Sequence, residues 1–379
     1  MNTSVSLSEN MNSFEKGNGF FPDDVVDQIL ARLPIKSLFR FKCVCKFWYR
    51  LPSNKYFIQL YNEISLRNPM VLVEILKSVY IKSNFICTDS LSCFSEFSLD
   101  FLSDRVKVRA SCNGLLCCAS IPNRGVYYVC NPMTREFRML PSRERPVSRY
   151  HPDDEATLVG LAVDPYTQKY NVVLAGFYRP FGRRPLDCLV CVVFNSETNT
   201  WKRFISSAGD GFTHMNRNQV VFASGSLHWL TISCLYILVL DLYSEVWKKI
   251  PLPGEIVNSY GRGNRIYLLE LEGAVSVIQI SADWMSIWVL KDYVREEWLL
   301  ADRVSLRCIK AFIPSAFPIS QNRDFVFLAT QRQILIYGRR NKVWKELYSV
   351  RTATAYPLWF SAHAFRSTLF SCRQNLEYC

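Results

Sequence analysis

One short pattern recurs along this chain and restricts what it can fold into: an Asn, Asp or Gly stands six residues before an aromatic. The copies are Asn131 with Phe137, Asp164 with Tyr170, Asn195 with Trp201, Asp241 with Trp247, and Gly338 with Trp344. Each is flanked by short runs rich in Val, Ile, Tyr, Phe and Cys, such as VYYVCN ending at Asn131 and VCVVFN ending at Asn195. Asn, Asp and Gly tolerate turn conformations, and the first two can bond the backbone of the turn. The aromatic opens the returning strand and buries its ring. The pattern therefore predicts antiparallel hairpins, in blade-sized units near 111–141, 158–206, 219–253, 264–306 and 324–350. Strand-like residues over 70–108 and a last segment near 359–372 can close a ring as one shared blade, giving about six. A β-propeller uses hairpins in this way, because stacked four-stranded blades leave few edges exposed. A sandwich or an open stack of hairpins is the other architecture that the spacing admits.

Residues 21–51, FPDDVVDQILARLPIKSLFRFKCVCKFWYRL, have a different period. Pro22 opens a helix, with Asp23 and Asp24 as expected caps, and Val25, Val26, Ile29, Leu30 and Leu33 form its apolar stripe. Pro34 stops it, because proline removes a donor and clashes with the preceding turn. Ser37 is expected to start a second helix carrying Leu38 and Phe41. Val44, Phe47, Trp48 and Leu51 make a third stripe before Pro52. Ser53 and Asn54 can cap a connector helix with Phe57, Ile58, Tyr61 and Ile64 on its inner side. Three helices this short cannot enclose a core of their own. They either pack on the rest of the chain or present an apolar face to another protein.

The chain has 379 residues, of which 49% are hydrophobic and 14% aromatic, enough for more than one folded domain. Its organisation reads as a flexible polar tail over 1–19, helices over 20–68 and a β domain over 70–379, an α+β multidomain fold. The tail has no apolar run of signal-peptide length. The most apolar later run, Leu227 to Leu240, is shorter than the ~18–20 residues of a membrane span. Fourteen cysteines without a secretory leader predict reduced thiols and a cytoplasmic or nuclear location. Cys188 and Cys191 form a single CxxC inside an apolar run, with no second pair to complete a zinc site. The four histidines, His151, His214, His228 and His363, have no metal-ligand spacing, and no GxSxG elbow, P-loop or dinucleotide fingerprint occurs. Neither a catalytic residue, a metal nor a cofactor is predicted. The formal charge of +12 is dispersed. Its densest groups, Arg143, Arg145 and Arg149, then Arg179, Arg183 and Arg184, come without a recognition helix or a stacking motif, so nucleic acid is not the expected partner.

The wording of two regions resembles a known family. Pro22-Asp23-Asp24, Ile29-Leu30, Arg32-Leu33-Pro34, Lys36-Ser37-Leu38, Arg40-Phe41-Lys42-Cys43-Val44 and Lys46-Phe47-Trp48 resemble the F-box. Phe21 stands where leucine usually precedes the proline, and Cys45 where serine is frequent. Ser111-Cys112-Asn113-Gly114-Leu115-Leu116-Cys117, Asn131-Pro132 with Leu140-Pro141, Gly225-Ser226-Leu227-His228-Trp229, and Ile287 to Tyr293 with Trp298 resemble the F-box-associated or kelch-type region of plant F-box proteins. The double glycine of true kelch blades is absent. The resemblance implies a non-catalytic substrate receptor of an SCF-type ubiquitin ligase. Its helices would dock the Skp-type adaptor, and through it a cullin, while the β domain binds an unidentified target protein. It implies an adaptor-facing set of Phe21, Pro22, Val25, Val26, Ile29, Leu30, Leu33, Pro34, Leu38, Val44, Cys45 and Trp48. The target-binding residues are not specified, and the segments 142–155 and 177–187 are the first to examine for them. A non-degradative interaction scaffold and a basic RNA- or anionic-ligand-binding propeller are the alternatives.

Overall fold

The computed structural model describes residues 22–66, 70–76, 84–90, 93–123, 125–141, 158–177, 188–207, 215–231, 233–259, 263–330, 333–349 and 359–373. The expected tail over 1–19, Phe21, His151, His214, the arginine groups at 143–149 and 179–184, and nearly all of the 142–155 and 177–187 segments lie outside these residues.

Four helices come first: α1 Asp23–Leu30, α2 Ile35–Phe41, α3 Lys46–Arg50 and α4 Lys55–Leu66. Among the described residues, twenty-four strands follow in six four-stranded antiparallel sheets. The second blade is β4 Val106–Cys112, β5 Leu115–Ser120, β6 Tyr127–Asn131 and β7 Glu136–Met139. The third is β8 Leu158–Val163, β9 Tyr170–Phe177, β10 Cys188–Asn195 and β11 Thr200–Ser207; the fourth is β12 Met215–Ala223, β13 Ser226–Thr231, β14 Tyr236–Asp241 and β15 Val246–Pro251. The fifth is β16 Arg265–Leu271, β17 Ala274–Ile280, β18 Trp284–Asp292 and β19 Glu297–Ser305; the sixth is β20 Phe317–Gln321, β21 Phe325–Ala329, β22 Gln333–Gly338 and β23 Val343–Ser349.

The first blade draws on two distant parts of the chain. Its strands β1 Met70–Leu76, β2 Asn84–Ser90 and β3 Cys93–Phe97 are completed by β24 Trp359–Phe365, which pairs with β1 from Met70 opposite Phe365 to Leu76 opposite Trp359. The inner strands β24, β4, β8, β12, β16 and β20 touch in turn, and β20 returns to β24. The ring is closed, with six blades. The shared blade is as expected, but β4 belongs wholly to the second blade, which starts at Val106 and not near 111.

Middle strands are covered on both sides, so β5 (LLCCAS) and β6 (YYVCN) are buried throughout, whereas β15 (VWKKIP) is mostly exposed with Ile250 turned in. The repeated turns are built as expected. Asn131 Oδ1 accepts the N–H groups of Met133 (2.9 Å) and Thr134 (3.3 Å), and Asp164, Asn195 and Asp241 do the same for the residues two and three ahead. The fourth residue after each is left-handed, with φ between 57° and 62° at Arg135, Gln168, Asn199, Glu245 and, after Gly338, 56° at Lys342. Asp292, with Glu296 at φ 57° and Trp298 six residues on, forms another copy. Asp164 lies between the first two strands of its blade; the other copies join the last two.

The aromatic of the repeat also staples neighbouring blades. Trp201 Nε1 donates to Pro141 O at 2.8 Å, Trp298 Nε1 to Pro251 O at 2.8 Å, and Trp344 Nε1 to Ser305 O at 3.3 Å, each acceptor lying at the end of the preceding blade. Each half-buried indole thereby satisfies its N–H while its ring packs between sheets.

Candidate functional site

The helices begin differently from what their acidic and hydroxyl residues suggest. At α1 the carbonyl of Pro22 accepts from Val25 (3.0 Å) and Val26 (3.1 Å), and neither Asp23 nor Asp24 caps through its side chain. Both stay in the first turn, where a carboxylate suits the unpaired N–H end of a helix. Together with burial they raise the Asp27 carboxyl above its usual range, burial being the larger cause. At α2, Pro34 takes the cap position and its carbonyl accepts from Ser37 (2.8 Å) and Leu38 (3.2 Å), so the helix starts at Ile35 and Ser37 lies inside it. Proline suits both places, because its fixed φ and missing donor cost nothing at a helix start. The connector α4 is capped as expected, with Asn54 Oδ1 accepting from Phe57 N at 3.2 Å.

The adaptor-facing set separates into two groups. Leu30 (4% exposed) and Leu38 (3%) are interior, packed with Ala31, Ile35, Leu51 and Phe57, and Val26, Leu33 and Trp48 are partly covered by the same core. Leu30 and Leu38 therefore hold the helices together. Pro22, Val25, Ile29 (52%), Pro34, Val44 (58%) and Cys45 are exposed. Phe47, Tyr49 and Tyr56 join them. The tyrosines sit among Lys46, Arg50 and Lys55, and a stripe-based reading treats such positions as the polar face. Lys42 lies over both the Phe39 and Tyr49 rings, at 5.0 and 5.2 Å. Exposed apolar side chains at this density on one small helical unit mark a surface for another molecule.

What closes the inner side of the helices is a segment from the far end of the chain. After β24, residues 366–373 run between α4 and the ring. Tyr61 Oη and Ser367 Oγ lie 3.0 Å apart, Ser65 Oγ donates to Ser367 O at 2.7 Å, and Thr368 Oγ1 donates to Asn62 Oδ1 at 2.9 Å. On the ring side, Asn131 Nδ2 donates to both Thr368 O and Phe370 O at 2.9 Å, and Tyr170 Oη donates to Cys372 O at 3.0 Å. Arg366 pairs with Glu270 of β16 at 2.6 Å. Leu369, Phe370 and Cys372 are buried in the same core as Phe57, Ile58 and Tyr61. The Asn113-Gly114 turn makes room for this segment. Gly114 has φ +82°, and a Cβ there would stand 2.2 Å from Thr368 Cγ2 and 2.6 Å from Arg366 O. That explains an Asn-Gly pair at this turn on two counts, a left-handed backbone and a close approach.

Because Met70 pairs with Phe365, the helices join the ring on the side where β24 ends, together with the turns joining first to second and third to fourth strands. The strand ends flanking residues 142–157 and 178–187 lie on the opposite side. Their neighbours there include Leu235 and Trp284, both exposed, with Arg303 4.9 Å from the Trp284 ring.

His228 is interior, its Nε2 2.7 Å from Tyr293 Oη and its Nδ1 3.3 Å from Val221 O. Burial pushes its pKa down to about 4 and that of Tyr293 up to about 12, so the pair is neutral across the ordinary range. Cys112, Cys117 and Cys372 are buried, which pushes their thiols up to about 12, and burial also pushes up that of Cys191. A thiol held protonated in this way is a core side chain and not a nucleophile. Among the described residues no group of three or more His, Cys, Asp or Glu could hold a metal ion.

Comparison with known proteins adds to this geometry. The family described as F-box domain matches residues 21–60, and the one described as F-box associated beta propeller domain matches residues 76–346. The chain is 57% identical to the F-box protein At5g49610 of Arabidopsis thaliana over 360 residues, covering 94% of this chain and 99% of that one. It is 26% identical to the F-box protein CPR1 of the same plant, over 94% of this chain and 90% of that one. Among solved structures, an oligogalacturonate lyase in complex with manganese is similar over 75% of this chain and 80% of that chain, at 8% identity and a TM-score of 0.41.

Proposed function

Because the chain belongs to the F-box proteins that carry an F-box-associated β-propeller domain, we propose that it is a substrate receptor of an SCF-type ubiquitin ligase. The observation that carries this reading is the division within the helices. Leu30, Ile35 and Leu38 are used up inside the chain, whereas Val25, Ile29, Val44 and Phe47 are left outward with no partner of their own needed for folding. These outward residues dock the Skp-type adaptor, and through it a cullin, while the ring holds a target protein. The chain's contribution is positional: it raises the effective concentration of the target near the charged conjugating enzyme, and no bond is made or broken by its own side chains. Reduced buried thiols suit a cytoplasmic or nuclear setting.

The test is co-purification with the adaptor. Ile29→Asp places a charge on the outward face, and it should weaken adaptor binding by about tenfold or more while leaving thermal stability within about 0.5 kcal/mol. Leu38→Ala should instead lower stability by about 2–4 kcal/mol, because it empties a buried site. Undiminished adaptor binding by a folded Ile29→Asp chain refutes the docking surface. For the ring, a bound protein that accumulates in cells lacking this chain supports the ligase role, and unchanged abundance supports a scaffold.

A further inference from the structure

The repeat allows the outer strands to be compared position by position. In four of the five outer strands that open with the repeat aromatic, the next two residues include charge: Arg138-Met139 in β7, Lys202-Arg203 in β11, Lys248-Lys249 in β15 and Lys345-Glu346 in β23. An outer strand has no neighbour on one side, and lysine or arginine there keeps its unpaired N–H and C=O groups from capturing another strand. In β19 the same two positions are Leu299 (55% exposed) and Leu300 (41%). Val294, in the turn that leads into this strand, is exposed as well. The ladder with β18 skips Ala301, an uncharged bulge residue that adds twist.

We infer that β19 is a self-association edge, paired antiparallel with β19 of a second copy of this chain. The charges choose the occupant and the direction. Glu296 and Glu297 lie exposed at the start of the strand and Arg303 lies exposed near its end. Antiparallel pairing about a two-fold axis near Leu300 sets Glu297 of each strand opposite Arg303 of the other, twice, and covers both leucine pairs, while Arg295 pairs with Asp292 and Asp302 with Arg339 inside each copy. Parallel pairing would set like charge on like. A two-fold contact uses the same patch on both copies, so one strand supplies both halves. Among the described residues none of β19 belongs to the core of the helices, which pack against the closing segment and the second and third blades, so both copies keep their helices free.

Sedimentation of the full chain over rising concentration tests this. The parent should be a dimer. Leu299→Lys with Leu300→Lys, which restores the pattern of the other blades, should weaken association by about tenfold or more with an unchanged circular dichroism spectrum. Glu297→Arg and Arg303→Glu should each weaken the dimer, and the two together should restore it. A parent chain that stays monomeric overturns the inference, as does a dimer that tolerates the paired lysines or a charge swap without recovery.

Discussion

At Asn131 the side-chain oxygen caps a turn while the amide nitrogen donates to Thr368 and Phe370, and an aspartate could keep only the first of these. Asn131→Asp should therefore lower stability by about 2–3 kcal/mol, because it buries a carboxylate against two carbonyls. Asn195→Asp should stay within about 0.5 kcal/mol, since Asp164, Asp241 and Asp292 already cap the same turn. Thermal melts of the two variants side by side check this. His228 carries a prediction about pH. Its folded pKa is held near 4, below the ordinary ~6.5, so between these values the unfolded chain binds the extra proton and acid favours unfolding. Stability contributed by the neutral ring is present above about pH 6.5 and lost as pH falls toward 4, about 2 kcal/mol between pH 7 and 5. Denaturant midpoints at the two pH values measure it, and a His228→Gln chain should lose less than the parent. Neither role was legible in the residues alone. Asn131 looks like any other copy of the repeat, and what singles it out is a segment that arrives more than two hundred positions later.

Most of the hairpins could be read from the sequence, because turn chemistry and the buried aromatic lie within one six-residue window. The copy at Asp292 escapes that reading because Lys291 interrupts the apolar run that announces the others, and the one at Gly338 has no side chain, so Asn341 bonds Val343 N instead. The helical period showed which residues are apolar but not which side meets the ring, so it could not separate the buried Leu30 and Leu38 from the exposed Ile29 and Val44. The closing segment 366–373 shows no period at all, since its order comes from contacts with α4 and the Asn113-Gly114 turn. Its removal has a specific expected outcome. A chain ending at 365 should keep a folded ring, with β24 in place, but its helices should become sensitive to limited proteolysis near residues 66–70. A chain ending at 358 lacks β24 and should lose the cooperative melt altogether. Equal protease resistance of the 365 chain and the parent would show that the closing segment does not hold the helices.

At the scale of the whole molecule, six blades and a helical unit are joined through one region, where β1, β24 and the closing segment meet. The helices sit on one side of the ring, and the strand ends at 141, 158, 177 and 188 lie on the other, so under the proposed function a target held there would not compete with the adaptor for surface. That division was only half legible: strand count and hairpin order could be inferred locally, but which side receives the helices depends on the Met70–Phe365 pairing.

The pairing of β1 with β24 also sets an order of events during synthesis. The helices leave the ribosome before any strand of the ring, and the ring cannot shut until residue 365 has followed, nearly three hundred residues later. For most of its translation the nascent chain thus carries α1 to α4 beside an unfinished ring. A ribosome that stalls before β24 also leaves out residues 366–373, so it releases a polypeptide with an open ring and with helices that lack the segment closing their inner side.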